Sequence, residues 1–157
     1  PNAWPATLEH LKAAKADVIL TQEVRKRLGA EVGAAENSAR VAKWSLAIEP
    51  CRVTARDGNS AGVAVGVRNH IGMSSPKTAA TKCLSGHQGR VLVKRLGTMS
   101  LGGIQCGSIY CHHGICIAAQ ANLDFLHSVA GFMGRLLGPW LISGVRNCTP
   151  YQLTATG

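Results

Sequence analysis

Apolar residues along the chain change between helical and strand-like spacing. Leu8, Leu11 and Ala14 recur at intervals of three after Trp4 and Pro5, and this spacing predicts a short helix. The compact apolar run over residues 18–20 predicts a strand buried on both faces. Small apolar residues at intervals of three or four then predict a second helix over residues 30–43.

The second half of the chain has the features of a sheet followed by one long helix. Strand-like segments over residues 44–53, 61–67, 90–96 and 99–110 are separated by turn-forming residues at 56–60 and 74–76. A longer helix is predicted over residues 118–137, where Gly138 and Pro139 stop it, and a closing strand follows at 140–142. The predicted apolar stripe of this helix consists of Leu126, Val129, Ala130, Met133, Leu136 and Leu137.

This order of elements predicts an α/β fold with a mixed sheet in one domain, a usual arrangement for a chain of 157 residues. No uninterrupted apolar stretch is long enough to predict a transmembrane helix. The chain begins without Met and stops soon after an apolar strand. We therefore expect residues 1–157 to be a single, incomplete domain from a longer reading frame.

The charge balance predicts a polyanionic partner. The chain carries 17 Lys and Arg against 8 Asp and Glu, a formal net charge of +9. Such an excess is typical of proteins that contact the phosphates of DNA or RNA. The basic residues that we expect at such an interface form one run and one strand: Arg25, Lys26 and Arg27, and Arg90, Lys94 and Arg95.

The six cysteines predict free thiols, because the chain has enough apolar residues to fold without disulfides and contains no CxxC pair. We expect an intracellular protein, nuclear or cytoplasmic, without a disulfide-linked partner. A zinc site is the alternative, since soft ligands cluster late in the sequence. On a strand, however, Cys106 and Cys111 would face opposite sides. The cluster is Cys106, Cys111, His112, His113 and Cys116.

Several segments together resemble the endonuclease/exonuclease/phosphatase superfamily, whose members share the fold of pancreatic deoxyribonuclease. Residues 16–23 resemble the family strand that ends in Gln-Glu, and residues 60–67 resemble its Gly-Gly-x-Ala strand. Residues 108–110 resemble a strand ending in Tyr, and residues 139–147 resemble the Gly-Asp-x-Asn strand end. The resemblance is strongest to divergent members from retrotransposon-type reading frames. It implies a partial four-layer α/β sandwich with mixed, largely antiparallel sheets flanked by helices.

The resemblance also implies a function and a site. The expected activity is Mg²⁺-dependent hydrolysis of phosphodiesters in nucleic acid, in which a hard cation neutralises the phosphate. Glu23 matches the metal-binding Glu of the family, Tyr110 matches an active-site Tyr, and Asn147 matches the Asn that orients a phosphate or water.

One position departs from the family pattern in a way that bears on catalysis. The family Asp that helps to activate the nucleophilic water falls on Val145, which can neither accept a proton nor bind a metal. The C-terminal Asp-His pair of the family also has no counterpart before Gly157. We therefore expect impaired hydrolysis. Two alternatives stay open: a non-catalytic, basic nucleic-acid-binding module, and a phosphatase-type member acting on a small phosphoester.

Overall fold

The computed structural model describes residues 4–55, 57–76, 84–97 and 102–145, and within them the chain forms three helices and nine strands. The helices are α1 (Trp4–Ala13), α2 (Ala30–Val41) and α3 (Gln120–Met133). The strands are β1 (Val18–Gln22), β2 (Trp44–Glu49), β3 (Arg52–Val53), β4 (Asn59–Ser60), β5 (Val63–Arg68), β6 (Gly72–Ser74), β7 (Val91–Gly97), β8 (Ile104–Tyr110) and β9 (Trp140–Val145). The predicted α/β fold class is confirmed.

The strands form two main sheets and a short hairpin. The first sheet is antiparallel and has the strand order β1-β5-β2. The second has the order β6-β7-β8-β9 and is antiparallel except for the parallel pair β8 and β9. Strands β3 and β4 pair only with each other. The sheets are therefore mixed and largely antiparallel, as predicted.

The two main sheets pack face to face, and helices cover their outer faces. Between the sheets, Val65 of β5 packs with Leu96 of β7 and Cys106 of β8. Helices α1 and α2 cover the first sheet through a cluster around the fully buried Trp44. Helix α3 covers the second sheet through a cluster that includes the fully buried Phe125. The layers therefore follow the order helix, sheet, sheet, helix.

Strand β7 shows the alternation that its sequence predicts. Val91 and Val93 pack in the cluster beneath α3, whereas Leu92 and Leu96 pack between the sheets. Strand β1 differs from its prediction, because all five of its residues are half-buried rather than buried. The physical reason is its position at the edge of the first sheet, where only one side of the strand is paired.

Two predicted segments are divided differently in the structure. The strand predicted over residues 44–53 is two strands, β2 and β3, because Pro50 between them has no N–H to donate to a neighbour. The N–H of Cys51 instead donates to the carbonyl of Lys26 at 2.9 Å. Two short strands, β4 and β6, also include residues that the sequence predicts as turns.

Helix α3 buries only part of the predicted stripe and adds two phenylalanines to it. Val129 and Met133 are buried as predicted, together with Phe125 and Phe132. Leu137, however, lies beyond the helix and is 90% exposed. The phenylalanine rings carry the largest apolar areas in this segment, so turning them toward the sheet buries more surface than the leucine stripe would.

In the described part of the chain, no helix is long and apolar enough to span a bilayer.

Gly66 of β5 lies between Ile19 of β1 and Leu46 of β2, whose side chains pack closely over it. A Cβ at this position would lie 2.7 Å from Cγ1 of Ile19 and 3.0 Å from Cδ1 of Leu46. Both neighbours belong to the cluster beneath α1 and α2. The absence of a side chain at Gly66 is what allows these two neighbours to meet.

We predict that Gly66→Ala lowers the free energy of unfolding by about 1–3 kcal/mol, because the added methyl group overpacks this cluster. Gly33→Ala is the matched control. Gly33 lies in α2 with no atom within 4 Å of its added Cβ, and replacing Gly by Ala in a helix stabilises by about 0.5–1 kcal/mol. Urea unfolding of both variants measures the difference. Equal stability of the two would contradict the packing described here.

Candidate functional site

The segment that follows β1 has backbone φ angles that most residues avoid. Glu23 and Arg25 have positive φ angles of 55° and 51°, and Ala61 opposite them has a φ of 63°. The N–H groups of Val24 and Arg25 donate to the carbonyls of Gly62 and Ala61 at 3.0 and 3.3 Å. Left-handed φ angles cost an L-residue about 1–2 kcal/mol each. Such strain persists where the surroundings fix the backbone, and it is common at functional sites.

Glu23 and Tyr110 meet where β1 and β8 end. The Tyr110 hydroxyl donates a hydrogen bond to Oε1 of Glu23 at 2.6 Å, across 87 positions of sequence. Further polar contacts between the sheets lie one or two residues earlier along β1 and β8. Nε2 of Gln22 donates to Oγ of Ser108 at 2.9 Å, and Oγ of Ser108 donates to the carbonyl of Thr21 at 2.8 Å. These bonds join the two sheets at the same end.

Ser108 and Gln22 were not among the residues predicted for the site. The signal that could have identified them is the strand period of two, because Ser108 shares a face of β8 with Tyr110, and Gln22 directly precedes Glu23. Ser108 is fully buried. Its hydroxyl therefore stabilises the contact between the sheets and is not exposed to a ligand.

The carboxylate of Glu23 is held in its charged form. Its pKa is lowered, first by the Tyr110 hydroxyl, then by the charge and hydrogen bond of Arg25, and by His113, while partial burial opposes them. Nη2 of Arg25 lies 2.7 Å from Oε2 of Glu23. Tyr110 and Arg25 thus engage one carboxylate oxygen each.

A cavity of about 850 Å³ opens beside this carboxylate. The end of β1 forms one wall, the start of α1 forms another, and Asn59 of the β3–β4 hairpin lies across from them. We call this cavity the crevice. The residues that line it are Trp4, Thr7, Thr21, Gln22, Glu23, Val24, Arg25, Lys26, Glu31 and Asn59.

The basic run beside the crevice is largely compensated by local acceptors. Arg25 pairs with Glu23, and Nη2 of Arg27 lies 3.0 Å from the carboxylate of Asp57. Nε of Arg27 also donates to Asn59 at 2.8 Å. The ammonium group of Lys26 lies 5.6 Å from the centre of the Trp4 ring, a cation–π distance. The run lies next to the crevice, but much of its charge is already paired.

The other three predicted basic residues do not share one surface. Arg90 is only 9% exposed and lies beneath Tyr110, with its guanidinium 5.8 Å from the ring centre. Lys94 and Arg95 lie farther along β7, where Arg95 is opposite Gln105. Gln105 is five residues from Tyr110, or about 16 Å along the strand. Lys94 and Arg95 therefore lie at the opposite end of the sheet from the crevice.

The position at which the resemblance expects Asp lies directly beside Tyr110. In the parallel pair β8 and β9, the register places Val145 next to Tyr110. The backbone of β9 thus brings this position to the same end of the sandwich as Glu23. Asn147, the third residue of the predicted site, lies outside the described residues.

The described residues do not supply the donor set of a resident Mg²⁺ ion. No three His, Cys, Asp or Glu side chains among them are grouped to hold a metal. Mg²⁺ prefers one or two carboxylates with several waters and substrate phosphates. Glu23 is a possible carboxylate ligand, but Arg25 and Tyr110 already engage both of its oxygens. In this arrangement the carboxylate of Glu23 would have to release Arg25 or Tyr110 before it could bind a metal.

The cysteine and histidine cluster is dispersed over several layers. Cys106 packs between the sheets, whereas Cys111 packs beneath α3. The predicted divergence of these two residues is confirmed. Cys51, Cys106 and Cys116 are free thiols within the described part of the chain, and Cys83 and Cys148 lie outside it. Burial raises the pKa of the Cys106 thiol, so this thiol is protonated at neutral pH.

No protein-family model matches the sequence, and no curated protein is significantly similar to it.

We predict that Tyr110→Phe raises the pKa of Glu23, because it removes the largest cause of the lowered value. A carboxyl whose folded pKa is depressed stabilises the fold above its unfolded pKa, and this contribution is lost as the pH falls through the folded value. Tyr110→Phe should therefore also make unfolding less sensitive to acid. Carbon-13 NMR titration of the Glu23 carboxyl and urea unfolding between neutral and acidic pH measure both effects.

Ser45→Ala is the control for this titration. It removes a hydroxyl from β2, at the opposite edge of the first sheet, where Ser45 donates to Asn69 at 3.1 Å. Its Glu23 titration should match that of the parent chain. An unchanged Glu23 curve in Tyr110→Phe would show that the hydroxyl does not hold the carboxylate in solution.

Proposed function

We propose that this chain is a nuclease-like domain of the endonuclease/exonuclease/phosphatase type that binds phosphates of DNA or RNA and hydrolyses them poorly. The observation that supports it most is the 2.6 Å contact between Glu23 and Tyr110. The resemblance indicates these two residues separately, at the ends of two different strands. Their contact beside the crevice that Glu23 lines is expected if both derive from one phosphodiesterase site and is not otherwise required.

The proposal of a nucleic-acid partner rests on charge. The formal net charge of +9 favours association with a long polyanion by electrostatic steering. Lys26 and Trp4 add a cation and an aromatic ring to the wall of the crevice. Such a pair suits a phosphate next to a stacked base.

Poor hydrolysis follows from the groups that adjoin Tyr110 and Glu23. Val145 occupies the strand position beside Tyr110 and has no atom that could accept a proton from water. Arg25 neutralises the carboxylate that a metal would need. Because catalytic groups act as a unit, loss of one member removes most of the rate. Nucleic-acid binding does not require these groups.

A phosphatase-type alternative is favoured by one observation, the size of the crevice. A cavity of about 850 Å³ falls within the range of small-molecule sites, roughly 300–1,000 Å³. A small phosphoester would then occupy the crevice in place of a polymer. A competition experiment distinguishes the two occupants. If a small phosphoester displaces a bound oligonucleotide only at very high excess, the result supports the polymer as the occupant.

We predict that the purified chain does not nick supercoiled plasmid in Mg²⁺ above the level of its Glu23→Gln variant. The reason is that Val145 cannot accept a proton and that Arg25 engages the Glu23 carboxylate. Agarose gel analysis over several hours measures nicking, with pancreatic deoxyribonuclease in the same buffer as the positive control. Mg²⁺-dependent nicking that disappears in Glu23→Gln would refute the proposed impairment and support an active enzyme.

We predict that a DNA or RNA oligonucleotide binds the chain and that affinity falls steeply between about 50 and 200 mM salt, because bound Lys and Arg release counterions. The double variant Arg25→Gln, Lys26→Gln should lower the salt slope by about 2, one unit for each lost phosphate contact. Fluorescence anisotropy at several salt concentrations measures both slopes.

The matched control for binding removes the same charge from the far end of β7. Lys94→Gln with Arg95→Gln should leave the salt slope nearly unchanged, because the two residues lie about 13 and about 16 Å along the sheet from Tyr110. Equal losses in the two double variants would indicate diffuse binding over the surface and not binding at the crevice. Binding independent of salt, or none, would exclude the polyanion partner.

A further inference from the structure

We propose that Arg52, His87, Arg90 and His112 form a second phosphate-binding site, on the side of Tyr110 away from Glu23. The existence of this site does not depend on the proposed function. Only the identity of the molecule that supplies the phosphate rests on it. The arginines beside the crevice already pair with carboxylates, whereas no carboxylate within the described residues forms an ion pair with this cluster.

Arg90 is the central group of the cluster. It is 9% exposed, and its Nη1 donates to the carbonyls of Tyr110 and Cys111 at 3.3 and 3.1 Å. Its Nε is buried and has no hydrogen-bond partner. A guanidinium stays charged in proteins, so a buried one ordinarily pairs with an anion. No carboxylate within the described residues forms an ion pair with Arg90.

The backbone gathers Arg52, His87 and His112 around this guanidinium. The N–H of Arg90 donates to the carbonyl of His87 at 3.1 Å, and His112 directly follows Cys111, whose carbonyl Arg90 holds. Arg52 lies against Gly89, where an added Cβ would be 3.3 Å from Cγ of Arg52. The positive φ of 75° at Gly89 allows this close approach.

The histidines are held in place from α3. The His87 ring meets the Phe125 ring edge-on, with centroids 5.0 Å apart. The N–H of His112 donates to Oδ1 of the fully buried Asn122 at 2.7 Å. Both imidazoles are half-buried, and Arg52 is exposed. The cluster therefore reaches from a buried guanidinium to the surface through groups of fixed position.

The pKa shifts of the two histidines are consistent with this geometry. Burial lowers the pKa of His87 and His112, and the charges of Arg90 and Arg52 lower both further, with His87 also acting on His112. The acidic groups nearby are Asp124, which faces His87, and Glu49, which accepts the N–H of Gly89 at 3.2 Å. A bound dianion would relieve the repulsion among the cations and let the imidazoles protonate.

Imidazole NMR of the full chain tests the site, with inorganic phosphate as the probe and chloride at equal ionic strength as its blank. Phosphate should raise the pKa of His87 and His112 saturably, and the imidazole resonances of His10, His70 and His127 should not respond to it. Arg52→Gln should weaken phosphate binding about tenfold, because it removes one charge-assisted hydrogen bond. Arg40→Gln, which removes an exposed arginine from α2, should have no effect. Because Arg52 is exposed, the Arg52→Gln variant should fold like the parent chain.

The outcomes separate this site from the proposed function. An unphosphorylated single-stranded DNA oligonucleotide that shifts His87 and His112, with weaker binding in Arg52→Gln, supports a nucleic-acid backbone as the phosphate source. If inorganic phosphate shifts them but the oligonucleotide does not bind, the site stands and the proposed function fails. If the oligonucleotide binds while neither probe shifts these histidines, the proposed function stands and the site is wrong. Equal shifts of all histidines, or no effect of Arg52→Gln, would also overturn the site.

Discussion

The face-to-face packing of the two sheets decides where every candidate functional side chain lies. Val65 of β5 packs against Leu96 and Cys106 of the second sheet, and this apolar layer aligns the end of β1 with the end of β8. The polar contacts at that end depend on the alignment, because hydrogen bonds are lost over a shift of about 1 Å. Glu23 and Tyr110 meet because the valines, leucines and cysteine between the sheets pack in one register.

Around this alignment the protein concentrates features that cost free energy. Three non-glycine residues with positive φ angles lie beside the crevice: Glu23, Arg25 and Ala61. On the other side of Tyr110, the guanidinium of Arg90 lies buried without an anionic partner among the described residues. If these groups contributed only to stability, replacing them would make folding more favourable. Their occurrence on both sides of Tyr110 is the physical reason for considering this end of the sandwich functional.

The two sides of Tyr110 differ in their charge balance, and this difference distinguishes their roles. On the Glu23 side, acidic and amide groups engage Arg25 and Arg27. On the Arg90 side, four cationic or titratable groups lie together with two nearby carboxylates that form no ion pair with them in the described residues. The excess of basic residues in the composition is therefore distributed unevenly, and the uncompensated part lies where simple sequence inspection would not place it.

The sequence by itself determined the helices, the longer strands and the α/β class, because the spacing of apolar residues follows the period of each element. Its resemblance to one superfamily also indicated Glu23 and Tyr110 separately, and it placed Val145 where that resemblance expects Asp. Only the tertiary structure decided which cations are compensated: Arg25 and Arg27 find partners, Arg90 is buried, and Lys94 and Arg95 lie at the far end of β7. The face that α3 buries was likewise decided by packing. The physical reason is that period and propensity are local properties, whereas charge pairing and burial depend on contacts between residues far apart in the chain.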